Sequence, residues 1–112
     1  MSLTPLTSQR LASKVAIVTG ASSGLGRAIA LEFAANGAGL VVCADLQPTA
    51  RGDWGISEAG VPTHELICKR YGEGRALYVK ADVTVAEEVE SLVEQAVKVG
   101  GRLDMSVRFP ML

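Results

Sequence analysis

Aromatic side chains make up only 4% of this chain, and it holds one histidine, His64, one asparagine, Asn36, and two cysteines, Cys43 and Cys68. Each scarcity removes a class of function. A lone histidine and two cysteines without CxxC spacing supply no metal-ligand set, so His64 reads as a solvated or capping residue. The cysteines lie in an apolar run and a helix-like run, the pattern of free, mostly buried thiols rather than of a disulfide framework. Net charge is −1 and no cluster of Lys and Arg stands out, which argues against a nucleic-acid partner. No apolar run is long enough to span a bilayer, so no membrane partner is expected. The leading MSLTPLTSQRLASK is broken by Pro5, polar residues and Lys14, unlike a secretory signal. It also lacks acidic residues, a trait of organelle-targeting leaders, but the cytoplasm is the expected location.

Against these absences stand 112 residues, 48% hydrophobic and 21% charged, the composition of one small globular domain with a modest core. A function needing two lobes is not expected. Val15-Ala16-Ile17-Val18 is a β-branched run that predicts a strand buried on both faces. Leu25, Ala28, Ile29 and Phe33 then recur at helical spacing until Asn36-Gly37 stops the pattern. Leu40 to Ala44 reads as a second strand, ending at Asp45. Pro48, Gly52, Gly55, Gly60 and Pro62 punctuate the stretch from Leu46 to about Val61, which reads as a long loop. Thr63 to Tyr71 predicts a short helix with Pro62 or Thr63 near its start, and Ala76 to Val79 a third strand. In the last helix Val85, Val89, Leu92, Val93, Ala96 and Val97 share a face opposite Glu87, Glu88, Glu90, Glu94 and Lys98, and Gly100-Gly101 ends it. This alternation predicts an α/β fold, a parallel sheet with helices on both faces.

Between the first strand and the first helix lies Thr19-Gly20-Ala21-Ser22-Ser23-Gly24-Leu25-Gly26. A helix N-terminus presents unpaired N–H groups and partial positive charge, so a glycine loop in this context suits a phosphate. Gly20 permits the sharp turn, Gly24 lets a ligand approach the backbone, and Gly26 allows close packing of helix on strand. Ser22 and Ser23 add hydroxyls. A purely structural turn is the competing reading. The dinucleotide fingerprint GxGxxG is absent because Ile29 takes the third glycine position, and no P-loop Gly-Lys-Ser/Thr follows.

The pattern is TGxxxGxG, and preceded by Lys14-Val15-Ala16-Ile17-Val18 it resembles the opening of the short-chain dehydrogenase/reductase family. The resemblance implies a three-layer Rossmann-type parallel sheet in strand order 3-2-1-4, with Gly20, Ser22, Ser23, Gly24, Leu25 and Gly26 holding a dinucleotide. Asp45 ends the second strand about twenty positions beyond Gly26, where a carboxylate accepts bonds from ribose hydroxyls and repels a 2′-phosphate. NAD rather than NADP is therefore expected, with Arg27 and Arg51 read as solvated rather than as phosphate ligands. Asp82-Val83 resembles the family's pair beside the adenine, although an Asp at a strand end or helix cap is common without any ligand.

The resemblance covers roughly residues 13 to 104. From Met105 the run Ser106-Val107-Arg108-Phe109-Pro110-Met111-Leu112 is unlike what the family continues with. The family's Asn-Asn-Ala-Gly turn is absent, and neither Tyr71 nor Tyr78 is followed four residues later by Lys. These spans imply an N-terminal extension over 1–12, a cofactor-binding half over 13–104 and a divergent tail over 105–112. Three readings stay open: an oxidoreductase lineage lacking its catalytic half, a non-catalytic binding module that pairs with a full-length relative or with itself, and a product of altered splicing, frameshift or gene prediction. The first two share one expected ligand, the dinucleotide.

Overall fold

The computed structural model of the chain describes residues 10–22, 24–48 and 60–108. Its elements run β1 (Val15–Thr19), α1 (Gly24–Ala35), β2 (Leu40–Asp45), α2 (Thr63–Tyr71), β3 (Ala76–Lys80), α3 (Ala86–Gly100) and β4 (Met105–Val107). The β-branched runs became strands because a strand buried on both faces needs apolar side chains at successive positions. β1 is buried throughout and β2 is buried except at Asp45. Of the loop expected after β2, residues 49–59 lie outside the described residues, and the flanking ones carry no helix or strand.

All four strands are parallel, in the order β3-β2-β1-β4. In register, Thr19 pairs with Ala44 and Asp45 with Lys80, so the carboxyl ends of three strands share one rim of the sheet. The loop after β1, Asp45, and Asp82-Val83 after β3 thus converge on that rim, the usual place for a ligand in an open α/β sheet. Val15, Ile17, Leu40, Val42 and Val79 pack with Leu92 and Ala96 of α3 on one face. Val18, Val41 and Cys43 pack with Ala30 and Ala34 of α1 and Ile67 of α2 on the other, giving three layers.

Two helices differ from their predicted faces. In α1 the fully buried residues are Gly26, Ala30 and Ala34, one per turn, while Ala28 is exposed and Ile29 and Phe33 are half-buried. Small residues at four-residue spacing let the helix axis approach the sheet more closely than large ones allow. α3 buries Leu92 and Ala96, but Val93 and Val97 are exposed.

Leu11 and Ala12 ahead of β1 and the residues from Asp104 to Val107 are tied into the fold. Leu11 packs against the α1 side, its N–H donates to Asn36 O at 2.9 Å, and Ala12 bridges to Ala38. Val15 N–H donates to the Asp104 carboxylate at 2.9 Å, and Asp104 N–H donates to Val15 O at 2.9 Å. That reciprocal pair starts β4 in register with β1, pairing Ala16 with Met105 and Val18 with Val107. Met105–Val107, set apart in the sequence as divergent, is therefore the fourth strand. It is three residues long and stands at the sheet edge among the described residues.

Candidate functional site

The loop after β1 is fixed by backbone geometry before any side chain contributes. Gly20 has φ +66° and Gly24 φ +57°, both left-handed, a region L-residues other than glycine enter at a cost of about 1–2 kcal/mol. At Gly26 the constraint is steric: a Cβ there would lie 2.1 Å from Gly20 O and 2.7 Å from Gly20 C. α1 is thus seated directly on the turn that precedes it. At Gly24 the situation is reversed, because a Cβ would meet nothing within 4 Å among the described residues. The first residue of α1 therefore faces open space, with the N–H groups of a helix start beside it. Leu25 follows, 63% exposed although apolar.

Asp45 is joined to this loop. Its Oδ2 accepts from Ser22 N–H at 3.1 Å, and its Oδ1 accepts from Leu46 N–H at 2.7 Å. The Ser22 hydroxyl donates to Gln47 O, so residues after β2 are drawn onto the loop after β1. Ser23, the remaining predicted loop residue, lies outside the described residues, as does Arg51. A carboxylate has about four acceptor positions, which leaves capacity for further donors at Asp45.

Asp82 forms a turn of its own. Its Oδ1 accepts from Thr84 N–H at 2.9 Å and from the Thr84 hydroxyl at 2.6 Å, and these bonds hold its carboxyl below the usual carboxylate range. Its N–H donates to the Glu88 carboxylate at 2.9 Å, which sets the start of α3 against the end of β3. Val83 beside it is half-buried.

Two readings are corrected. Arg27 is not a solvated side chain: its guanidinium donates to Val61 O at 2.8 Å and to the Thr63 hydroxyl at 3.2 Å. Thr63, 1% exposed, in turn donates to Ala21 O at 2.7 Å, so α1 and α2 are both clamped to the loop. His64 is neither solvated nor a cap. Its ring stacks on Tyr78 with centroids 5.9 Å apart, its Nδ1 is buried without a hydrogen-bond partner among the described residues, and burial pulls its pKa down. The Tyr78 hydroxyl donates to Asp45 O at 3.0 Å, and burial, then the nearby Asp45 charge, push its pKa up. The sequence gives no local signal for Arg27, Thr63 or Tyr78, because each acts on residues more than thirty positions away.

The thiols follow expectation more closely. Cys43 is buried and its pKa is pushed up to about 12, first by burial and then by Cys68; both thiols are free. Among the described residues no group of three His, Cys, Asp or Glu is placed to hold a metal, and no helix is long and apolar enough to cross a membrane.

Known proteins place this geometry. Over 102 residues the chain is 39% identical to a hydroxynaphthalene reductase-like protein from Metarhizium brunneum, covering 90% of this chain and 34% of that protein. Crystallised hydroxysteroid dehydrogenase from Escherichia coli superposes with a TM-score of 0.72 at 31% identity, covering 89% of this chain and 37% of that one. Glucose dehydrogenase of Caenorhabditis elegans gives 0.70 at 32% identity, over 87% and 37%. The chain thus spans about a third of the length of these relatives. The short chain dehydrogenase family model matches residues 14–108, beyond Asp104 where the resemblance was expected to stop and through the whole of β4. With a match over most of its length, and with the glycine loop, strand order and rim geometry described above, this chain belongs to the short-chain dehydrogenase family.

Proposed function

We propose that the chain binds the adenosine-diphosphate half of NAD, and that it represents the cofactor-binding half of an oxidoreductase moving a hydride between NAD and an alcohol or carbonyl compound. The observation that carries this reading is the juxtaposition of the open backbone at Gly24 with the Asp45 carboxylate, linked through Ser22 N–H. A pyrophosphate suits the start of α1. The ribose hydroxyls suit Asp45, whose charge disfavours the 2′-phosphate of NADP. Arg27, engaged by Val61 and Thr63, already has a structural task, which supports NAD further. Gly20, Ser22, Ser23, Gly24, Leu25 and Gly26 form the phosphate side of the proposed site, and Asp82 and Val83 the adenine side.

When bound, the nicotinamide supplies or accepts the hydride. The chain's own residues hold the cofactor; none of them is proposed to transfer a proton to substrate. The family's proton donor is a tyrosine with a lowered pKa, whereas the pKa of Tyr78 is raised and its hydroxyl is spent on Asp45. The 112 residues alone are therefore expected to turn nothing over. We propose that residues 13–104 supply the groups that hold the cofactor, that β4 completes the edge of the same sheet, and that the protein resides in the cytoplasm.

A second reading, a non-catalytic module that pairs with a full-length relative or with itself, draws on two observations. Val93 and Val97 of α3 are exposed, and β4 carries no outer neighbour among the described residues. Such apolar surface and an open strand edge favour association.

The test is thermal unfolding of the chain with NAD and with NADP, since a ligand of the folded state raises the midpoint. A rise with NAD that is larger than with NADP, with that difference lost in Asp45→Ala, is the expected result. Equal shifts with both nucleotides, or a wild-type response retained in Asp45→Ala, would overturn the assignment.

A further inference from the structure

Among the described residues, hydrogen bonds reach both the carboxylate and the backbone oxygen of Asp45. Its backbone oxygen accepts from the Tyr78 hydroxyl at 3.0 Å and from Ala81 N–H at 3.2 Å. Tyr78 stands on β3 and pairs in register with Cys43, two residues before Asp45 on the neighbouring strand. Its ring is stacked with His64 at 5.9 Å and 29°, within the range of favourable aromatic pairs. His64 follows Thr63 in the first turn of α2, and Thr63 holds Ala21 O. Adjacent residues of one helix thus reach both halves of the proposed site: Thr63 the phosphate side, and His64, through Tyr78, the ribose side. Ser22 N–H to Asp45 Oδ2 closes the circuit.

We propose that Tyr78 is a positioning residue for cofactor choice: its hydroxyl, with its ring held by His64, anchors the Asp45 carbonyl so that the Asp45 carboxylate stays on Ser22 N–H and faces the ribose. This rests on the assignment of Asp45 to NAD above. On this proposal the hydroxyl acts through Asp45 rather than by its own contact with sugar or phosphate. Its loss is felt only through Asp45, which separates this role from one in stability alone.

The decisive variant is Tyr78→Phe, which keeps the ring and the stack and deletes one oxygen. A single hydrogen bond corresponds to about a five-fold change in an equilibrium. NAD affinity, measured by calorimetric titration, is expected to fall about that much with NADP affinity little changed. In the Asp45→Ala background the same substitution is expected to leave both affinities alone. His64→Ala, which removes the stack and spares the hydroxyl, is expected to act in the same direction and serves as the second variant. An equal loss of NAD and NADP affinity, or an undiminished effect in the Asp45→Ala background, overturns the proposal.

A cofactor-free readout separates this inference from the function it rests on. Hydrogen exchange at Ser22 N–H is expected to quicken in Tyr78→Phe and in Asp45→Ala, and no further in the double variant. If wild-type protein shows no NAD preference while this pattern holds, the function fails and the positioning stands. If Ser22 exchange is unchanged in Tyr78→Phe, the positioning fails whatever the nucleotide results.

Discussion

Gly26→Ala is the substitution for which the structure gives the sharpest expectation, because two effects oppose and their sizes differ. Alanine inside a helix is favoured over glycine by about 1 kcal/mol, so propensity alone predicts a more stable protein. The added methyl, however, would stand 2.1 Å from Gly20 O, 2.7 Å from Gly20 C and 3.2 Å from Ala21 N. Ordinary contacts between such atoms are about 3.5 Å, so a separation of roughly 1.4 Å must be opened at Gly20 O. All three obstructing atoms are backbone, in a turn whose Gly20 has φ +66°, and no rotamer change can relieve them. Overpacking costs about 1–3 kcal/mol, and a contact with rigid backbone belongs at the upper end. The net expectation is a loss of about 2 kcal/mol, equivalent to a fall of roughly 10 °C in the unfolding midpoint of a domain this small. Moving α1 off the turn also moves its N-terminus, so NAD binding is expected to be lost with it. Circular dichroism melts and calorimetric titration read the two effects separately. Gly24→Ala is the control: its methyl meets nothing among the described residues, its left-handed φ costs about 1 kcal/mol, and it fills the space proposed for the phosphates. It should melt above Gly26→Ala yet bind no better. A midpoint for Gly26→Ala at or above wild type would refute the close packing of α1 on the turn.

Other expectations follow from the same geometry. Gly100→Ala puts a methyl 2.7 Å and 3.0 Å from the two Cγ atoms of buried Val15 and 3.1 Å from Leu40 Cδ2, so a loss of about 1–2 kcal/mol in urea unfolding is expected; an unchanged midpoint counts against that contact. The Arg102 guanidinium and Val15 N–H hold the Asp104 carboxyl below its ordinary 3.8. A depressed folded value means stability that is present above pH 3.8 and is lost as pH falls through that lower value, so Asp104→Asn should flatten the acid limb of the stability profile, and an unchanged limb would contradict the pairing. Cys43, with a pKa near 12 and a buried thiol, should resist iodoacetamide in folded protein at pH 8 while half-buried Cys68 is alkylated first; equal labelling by mass spectrometry would argue against a buried β2.

What was legible in the sequence was whatever rests on local pattern. Val15–Thr19 and Leu40–Asp45 announce themselves as strands because both faces are buried and need apolar residues in succession. The strand order came with the family resemblance, carried by the spacing of Gly20, Gly24 and Gly26. The face of α1 was misread because Gly26, Ala30 and Ala34 carry little hydrophobic signal, whereas Leu25 carries much and is exposed. Met105–Val107 gave no strand signal in three residues; pairing with β1, begun by Asp104 and Val15, supplies what propensity did not. The role proposed for Asp45 came from its distance in sequence to the glycine loop, and its bond to Ser22 N–H joins the two in space. Arg27 and His64 were not legible, because Val61, Thr63 and Tyr78 become their neighbours only once α2 and β3 have packed.

The most direct measurement is an NMR titration of 15N-labelled chain with NAD, following backbone amides. Saturable shifts are expected at Ser22, Gly24, Leu25, Gly26 and Leu46, with smaller ones at Asp82 and Val83, and weaker responses to NADP. Shifts confined to α3 and β4, or none at saturating NAD in a folded sample, would contradict the proposed site.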